Sequence, residues 1–218
     1  MKISNRLNSI TRRIKKNSVI IDVGSDHAYT AINALRNAKA KFVYNIELNK
    51  SPLKSGIENL IKEDLLSKTK NIIANGLRTN EIKEPIDYCI ISGLGGNTIV
   101  SILSNSSVNN IKEYILVTND HPEIIRRYVK ENNLKISHEE MIFENKIFYS
   151  LIQISLKGKK VISFSDEYFG PINKKQLNNI LISYLKQLLI QHKKIYSLSK
   201  KQSENKIIME IEKILHDK

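Results

Sequence analysis

The chain has 218 residues, with 35 Lys plus Arg against 22 Asp plus Glu, a formal net charge of +13, one cysteine and 41% hydrophobic side chains. At roughly 100 to 200 residues per domain this is one domain with an appendage or two small ones, with ample material for a buried core. Cys89 alone cannot close an internal disulfide, and neither a run of about 18 apolar residues nor a basic segment followed by an apolar one is present; a stapled secreted scaffold, a membrane span and a secretory signal are excluded, and a soluble cytoplasmic protein is expected.

The placement of charge carries more information than its total. Residues 1–16 hold six basic side chains and no acid, residues 17–156 hold 16 of each sign, and residues 157–218 hold 13 basic against six acidic. Lys outnumbers Arg 28 to 7, so lysine abundance alone is a weak signal, whereas confinement of the whole excess to the two ends is a strong one. A concentrated positive field favours a polyanion, with phosphate contacts supplying salt-dependent affinity.

In chain order, the apolar run Val19–Val23 is read as a strand, broken at Gly24-Ser25-Asp26 and followed by a helix over Ala28–Ala34. Lys41–Ile46 is the next strand, ending at Glu47, then a helix over Ser51–Glu63 and a strand over Asn71–Ala74 closed by Asn75-Gly76. Tyr88–Ile91 runs into Ser92-Gly93-Leu94-Gly95-Gly96 and a helix over Thr98–Leu103; Tyr114–Val117 is a fifth strand, and Pro122–Glu131 a helix with proline in its first turn, where the missing N–H costs nothing. Ile136–Phe143 and Phe148–Leu156 are close enough to pair as a hairpin across Glu144-Asn145-Lys146. Strands alternating with helices predict an α/β fold, a parallel sheet with helices on both faces. Beyond Gly158 the pattern changes: apolar residues recur at helical spacing from Leu177 to Leu188 and from Ile207 to Leu215, with a polar turn over Ser197–Ser203. Two domains are therefore expected, 1–158 and 159–218, the second a helical hairpin.

In an open parallel sheet, ligands bind at the carboxyl ends of the strands. The first such end reads Asp22-Val23-Gly24-Ser25-Asp26-His27, an acidic loop lacking the three-glycine dinucleotide fingerprint and poorly suited to a pyrophosphate. It suits a ligand with positive charge. Glu47, 25 residues after Asp22, is placed to accept hydrogen bonds from ribose hydroxyls, and Asn75-Gly76 to meet an adenine edge. Each signal alone has an ordinary explanation, a helix cap or a solvated strand end; their ordered joint occurrence describes a site for S-adenosylmethionine, with Asp22, Gly24, Ser25, Asp26, His27, Glu47, Asn75, Gly76 and Gly93 as the cofactor-binding set. The five histidines are scattered and only one cysteine is present, so no metal-ligand spacing emerges.

Gly24-Ser25-Asp26-His27-Ala28-Tyr29, Glu47, Asn75-Gly76-Leu77 and Ile91-Ser92-Gly93-Leu94-Gly95-Gly96 resemble the bacterial tRNA (adenine(22)-N1)-methyltransferases, the TrmK family. The resemblance extends over nearly the whole chain, through Leu7, Arg12 and Ile14, Asn119, Arg126, Glu144–Tyr149 and Tyr168-Phe169-Gly170-Pro171. It implies a class I, Rossmann-like methyltransferase domain followed by a C-terminal coiled-coil hairpin, using S-adenosylmethionine to methylate N1 of a D-arm adenine. Two departures stand out: Ala74-Asn75-Gly76 replaces the usual Gly-Asp-Gly, and Val117-Thr118-Asn119 replaces Gln-Pro-Asn. On this reading the Ser92–Gly96 loop holds the target base, with Asp26, Gly93 and Asn119 as catalytic residues. Arg6, Arg12, Arg13, Lys15, Lys16, Arg126, Lys174, Lys193 and Lys194 are the expected tRNA-binding set, on a monomer without metal or membrane attachment. Open alternatives are a methyltransferase acting on another RNA or a small molecule, and an RNA-binding module with an inactive cofactor fold.

Overall fold

The computed structural model describes residues 4–156 and 162–216. The chain divides into two compact units, Met1–Lys160 and Val161–Lys218. The boundary expected between residues 158 and 159 lies outside the described residues.

The first unit is built on a seven-stranded sheet: β1 (Ser18–Val23), β2 (Ala40–Glu47), β3 (Thr69–Ile73), β4 (Ile86–Ser92), β5 (Ile111–Thr118), β6 (Lys135–Glu144) and β7 (Ile147–Ser155), in spatial order β3-β2-β1-β4-β5-β7-β6. The first five strands are parallel, and β7 pairs antiparallel with both β5 and β6. The central strands read Val-Ile-Ile-Asp-Val and Tyr-Cys-Ile-Ile because both faces of a parallel sheet are covered, leaving little reason for polar alternation. Helices α2 (Tyr29–Arg36), α3 (Lys50–Lys62), α4 (Gly96–Ser104) and α5 (Pro122–Glu131) follow β1, β2, β4 and β5. From β1 the chain steps outward through β2 and β3, from β4 outward through β5; right-handed crossovers place α2 and α3 on one face and α4 and α5 on the other. The strand order therefore reverses between β1 and β4, where a crevice opens at the carboxyl ends.

A further helix precedes the first strand. α1 (Asn5–Arg13) starts at Ser4, whose Oγ accepts from the Leu7 N–H at 3.2 Å, and ends on Arg12 and Arg13, cations suited to a helix C-terminus. It packs against α2, β6 and β7, burying Ser9, Ile10 and Thr11, with Ile14 buried just beyond. The β6–β7 hairpin turns through Asn145 and Lys146 alone, both at positive φ (50° and 64°), as a two-residue turn matched to strand twist requires.

In the second unit, α6 (Phe164–Phe169) starts with a reciprocal cap between Ser163 and Asp166. α7 (Asn179–Ser199) and α8 (Gln202–His216) pair as a hairpin that buries Leu181, Leu185, Ile207, Ile208, Ile211 and Ile214. The expected seven-residue polar turn shrinks to Lys200-Lys201, with Lys200 in the left-handed region (φ 53°) closing α7. His192 and Glu204 link the two helices at 2.6 Å and Lys193 and Glu212 at 2.7 Å. No helix among the described residues is long and apolar enough to cross a membrane.

Candidate active site

Asp22 lies one residue from the end of β1, flanked in register by Asn45 of β2 and Ile90 of β4, and is only 2% exposed. Burial is the largest influence on its carboxyl, followed by the charge of Glu47; together they outweigh a hydrogen bond from Thr30 and push the pKa up to about 7. Its Oδ2 is shielded from solvent and has no hydrogen-bond partner among the described residues. Glu47, the last residue of β2, is likewise raised by burial, although the backbone N–H groups of Asp26 and Leu48 donate to its carboxylate. Its Oε1 is a second shielded oxygen without a partner. Two buried acceptors left open are costly unless a ligand supplies the donors. S-adenosylmethionine has ribose hydroxyls, a protonated amine and a sulfonium, so Glu47 and Asp22 fit it; a phosphate-rich ligand would meet repulsion instead.

The loop after β1 is tightly shaped. His27 and Ala28 both adopt left-handed backbone (φ 63° and 56°), an unusual pair for residues carrying a Cβ. The turn is held from outside: Asn59 of α3 donates to the His27 carbonyl at 3.1 Å, and Gly56 brings α3 so close that an added Cβ would lie 3.3 Å from that of Ala28. The helix expected from Ala28 consequently starts at Tyr29. The exposed rings of His27 and Tyr29 stack with centroids 5.4 Å apart, while Ser25 is buried and Asp26 turns its carboxylate outward. After β3, Asn75 is exposed and Gly76 is buried.

The other half of the crevice is made by loops bonded to each other. The Gly93 N–H donates to the Val117 carbonyl at 3.1 Å, and the Gly96 N–H to the Asp120 carbonyl at 3.0 Å. Only glycine fits at 96, because a Cβ there would sit 2.2 Å from the His121 carbonyl oxygen; Gly93 takes φ +86°, which a side chain would disfavour. Thr118 is buried and its hydroxyl both donates to the Asp120 carbonyl at 2.7 Å and accepts from the Asp120 N–H at 3.1 Å. Where the resembled family has proline, this hydroxyl shapes the turn by hydrogen bonding. Asn119 is exposed on that turn beside the glycine loop, and His121 is raised by its hydrogen bond to Glu123 at 2.8 Å.

The expected tRNA-binding residues divide. Arg12 contacts Glu140 at 3.2 Å while staying largely exposed, Arg13 donates to Gln153 at 3.0 Å, and Lys15 and Lys16 are exposed at the amino ends of the strands, beside a cavity of about 290 Å³ that also includes Asp87 and Lys112. Lys174 pairs with Asp166 at 2.9 Å, Lys193 with Glu212, and Lys194 is exposed. Arg126 is a correction: it is 1% exposed, with Nε donating to the equally buried Glu139 at 2.7 Å, so its charge is neutralised inside the fold and cannot meet a phosphate. Arg6, expected as part of a basic arm, instead sits at the glycine loop, its guanidinium over the Tyr149 ring at 5.1 Å and Nη1 3.8 Å from where a Gly93 Cβ would stand. The spacing Ser4, Leu7, Ile10, Ile14 was the available signal for the helix that puts it there. Among the described residues, no group of three His, Cys, Asp or Glu could hold a metal ion.

Comparison with known proteins places this geometry. The family model "TrmK: tRNA (adenine(22)-N(1))-methyltransferase" matches residues 20–217. A tRNA (adenine(22)-N(1))-methyltransferase of Bacillus subtilis (strain 168) is 27% identical over 203 residues, covering 90% of this chain and 85% of that protein. The structure of M. capricolum TrmK with S-adenosyl-homocysteine aligns at TM-score 0.87 and 31% identity over 98% of this chain and 97% of that one. A Streptococcus pneumoniae protein, Sp1610, in complex with S-adenosyl-L-methionine aligns at TM-score 0.91 and 26% identity over 98% of this chain and all of that one, 100%. With nearly the whole chain matched and an acidic, acceptor-rich crevice at the topological switch point, the protein belongs to the TrmK family of tRNA (adenine(22)-N(1))-methyltransferases.

Proposed function

We infer that this protein transfers a methyl group from S-adenosylmethionine to N1 of adenine 22 in tRNA. The observation that carries the reading is the pair of buried oxygens without partners among the described residues, Asp22 Oδ2 and Glu47 Oε1, at the carboxyl ends of β1 and β2 in a chain of this family. Glu47 binds the ribose and Asp22 draws in the cationic end of the cofactor. With Gly24, Ser25, His27, Asn75 and Gly76 they form the cofactor side of the cleft, and Gly93 stands where the cofactor meets the base. The cofactor supplies a methyl carbon activated by the adjacent sulfonium.

Adenine N1 carries a free lone pair at neutral pH, so no base need remove a proton first, and the protein's task is alignment. N1 lies on the Watson–Crick edge, and the nucleotide must leave its stack to be reached. The Ser92–Gly96 backbone holds the base, the Asn119 amide carbonyl accepts from its exocyclic amine, and the Asp26 carboxylate offsets the charge that grows on the ring as it becomes cationic. The exposed cations Arg12, Lys15, Lys16 and Lys194 and the helical unit steer and position the tRNA, on a cytoplasmic, monomeric enzyme.

The test is transfer of labelled methyl from S-adenosylmethionine to tRNA transcripts carrying adenine or guanine at position 22, with the product mapped by reverse-transcription stops. Incorporation that requires adenine 22 is expected. Equal incorporation into both transcripts, or none into either, would overturn the reading.

A further inference from the structure

We propose that Arg6 is a positioning residue of the transfer site whose guanidinium clamps a phosphate flanking the target adenosine. The inference rests on the tRNA-methylating reading and concerns how the nucleotide is held once it leaves the stack.

Four observations converge on Arg6. It is carried by a fixed helix: Ser4 caps α1, the Asn5 N–H donates to Glu144 at 2.7 Å, and Asn33 of α2 donates to Thr11 Oγ1 at 2.7 Å. Its guanidinium lies over the ring of Tyr149, which precedes Ser150, the antiparallel partner of Thr118, by one residue and so lies at the carboxyl end of β5. Its Nη1 approaches Gly93, in the loop that holds the base. Finally, Arg12, Arg13 and Arg126 each have a side-chain oxygen partner within this unit, whereas for Arg6 no hydrogen bond or ion pair is formed among the described residues and its Nε is shielded from water. A planar fork held over an aromatic ring, with no anionic partner among the described residues, is preorganised for a bidentate anion.

The anion is a phosphate and not the base. Methylation makes the adenine ring cationic, so a guanidinium beside N1 would oppose the reaction, whereas flipping a nucleotide swings its flanking phosphates to the rim of the cleft. Asp22, Asp26 and Glu47 make the cofactor half acidic; a cation on the opposite side directs the RNA backbone away from it and the base inward.

The test measures binding of an adenine-22 tRNA transcript across a salt series, for wild type, Arg6→Ala and Arg6→Lys, and for transcripts bearing one methylphosphonate on the 5′ or 3′ side of nucleotide 22. S-Adenosylmethionine affinity is measured in parallel by calorimetry. Arg6→Ala is expected to flatten the slope of log K against log salt by about 0.7 to 0.9, the value for one phosphate contact. One of the two methylphosphonates should flatten the wild-type slope equally and have no further effect on Arg6→Ala. Arg6→Lys should keep the slope and lower kcat, because an ammonium lacks the planar fork, with cofactor affinity unchanged throughout. Additive losses from Arg6→Ala and both methylphosphonates, or a parallel fall in cofactor affinity, would overturn the assignment. No binding of tRNA by the wild-type protein would overturn it together with the functional reading, a result that Arg6-specific failure cannot mimic.

Discussion

The two halves of the crevice solve opposite problems with the same sheet. At the ends of β1 and β2, polar groups are buried in excess of their partners, and Asp22 and Glu47 keep oxygens that nothing among the described residues satisfies. At the ends of β4 and β5, the backbone of one loop is bonded to the other through Gly93, Gly96, Val117 and Asp120, and Thr118 closes its own turn. The first half leaves acceptors open; the second is tied together by its own hydrogen bonds. The difference teaches that open acceptors and a prebuilt loop pair are supplied by separate strand ends, and at 118 the Thr hydroxyl closes the turn by its own hydrogen bonds.

The largest effect that would break this contrast comes from Asp22→Asn. Folded Asp22 holds its proton up to about pH 7, whereas its unfolded reference is 3.8, so the folded state binds the extra proton between these values and stability falls as pH rises through that window. The amide removes that slope and should stabilise the ligand-free protein at pH 8 by up to about 4 kcal/mol, read from denaturant melts at pH 4 and pH 8. Wild type is expected to gain S-adenosylmethionine affinity as pH passes from about 5.5 to about 8, and the same variant to lose that rise. Equal stability of the two proteins at pH 8 would mean that the carboxylate is not strained.

Gly96→Ala attacks the other half. With a Cβ 2.2 Å from the His121 carbonyl oxygen the loops must part, at a cost of about 1 to 3 kcal/mol or more in stability and with a large fall in kcat while cofactor affinity holds. Cofactor affinity falling as far as kcat would show that the halves are not separable. Smaller again, Glu47→Gln keeps the shape but weakens the open acceptor proposed for the ribose, and a roughly tenfold loss in cofactor affinity with unchanged tRNA binding is expected from calorimetry and filter binding. The smallest change is a control outside both halves: Lys146→Gly, at φ 64° in the hairpin turn, should raise stability by about 0.5 to 1 kcal/mol and leave both affinities alone.

The position of the first half was legible because it is local: Asp22, Glu47 and Asn75-Gly76 sit at or just past strand ends that apolar runs mark out, and the ends of parallel strands meet whatever the details of packing. The aligning half was legible only as a motif. Glycine at 96 is required by a carbonyl from a loop 25 residues away, an approach invisible in spacing. The basic N-terminus shows the limit most directly, since residues counted as one charge cluster became a capped helix with three arginines in three different surroundings.

By itself, the sequence determined the order and type of the main elements, the helical tail, the acidic character of the first loop and the family, because hydrophobic periodicity, turn residues and motif identity are written locally in the chain. Tertiary structure alone decided which cations are available and which oxygens are open. Arg126 and Arg6 are equally basic on paper; one is buried against Glu139 and the other lies over Tyr149 beside Gly93, because pairing and burial depend on side chains that the sheet order brings together from distant positions.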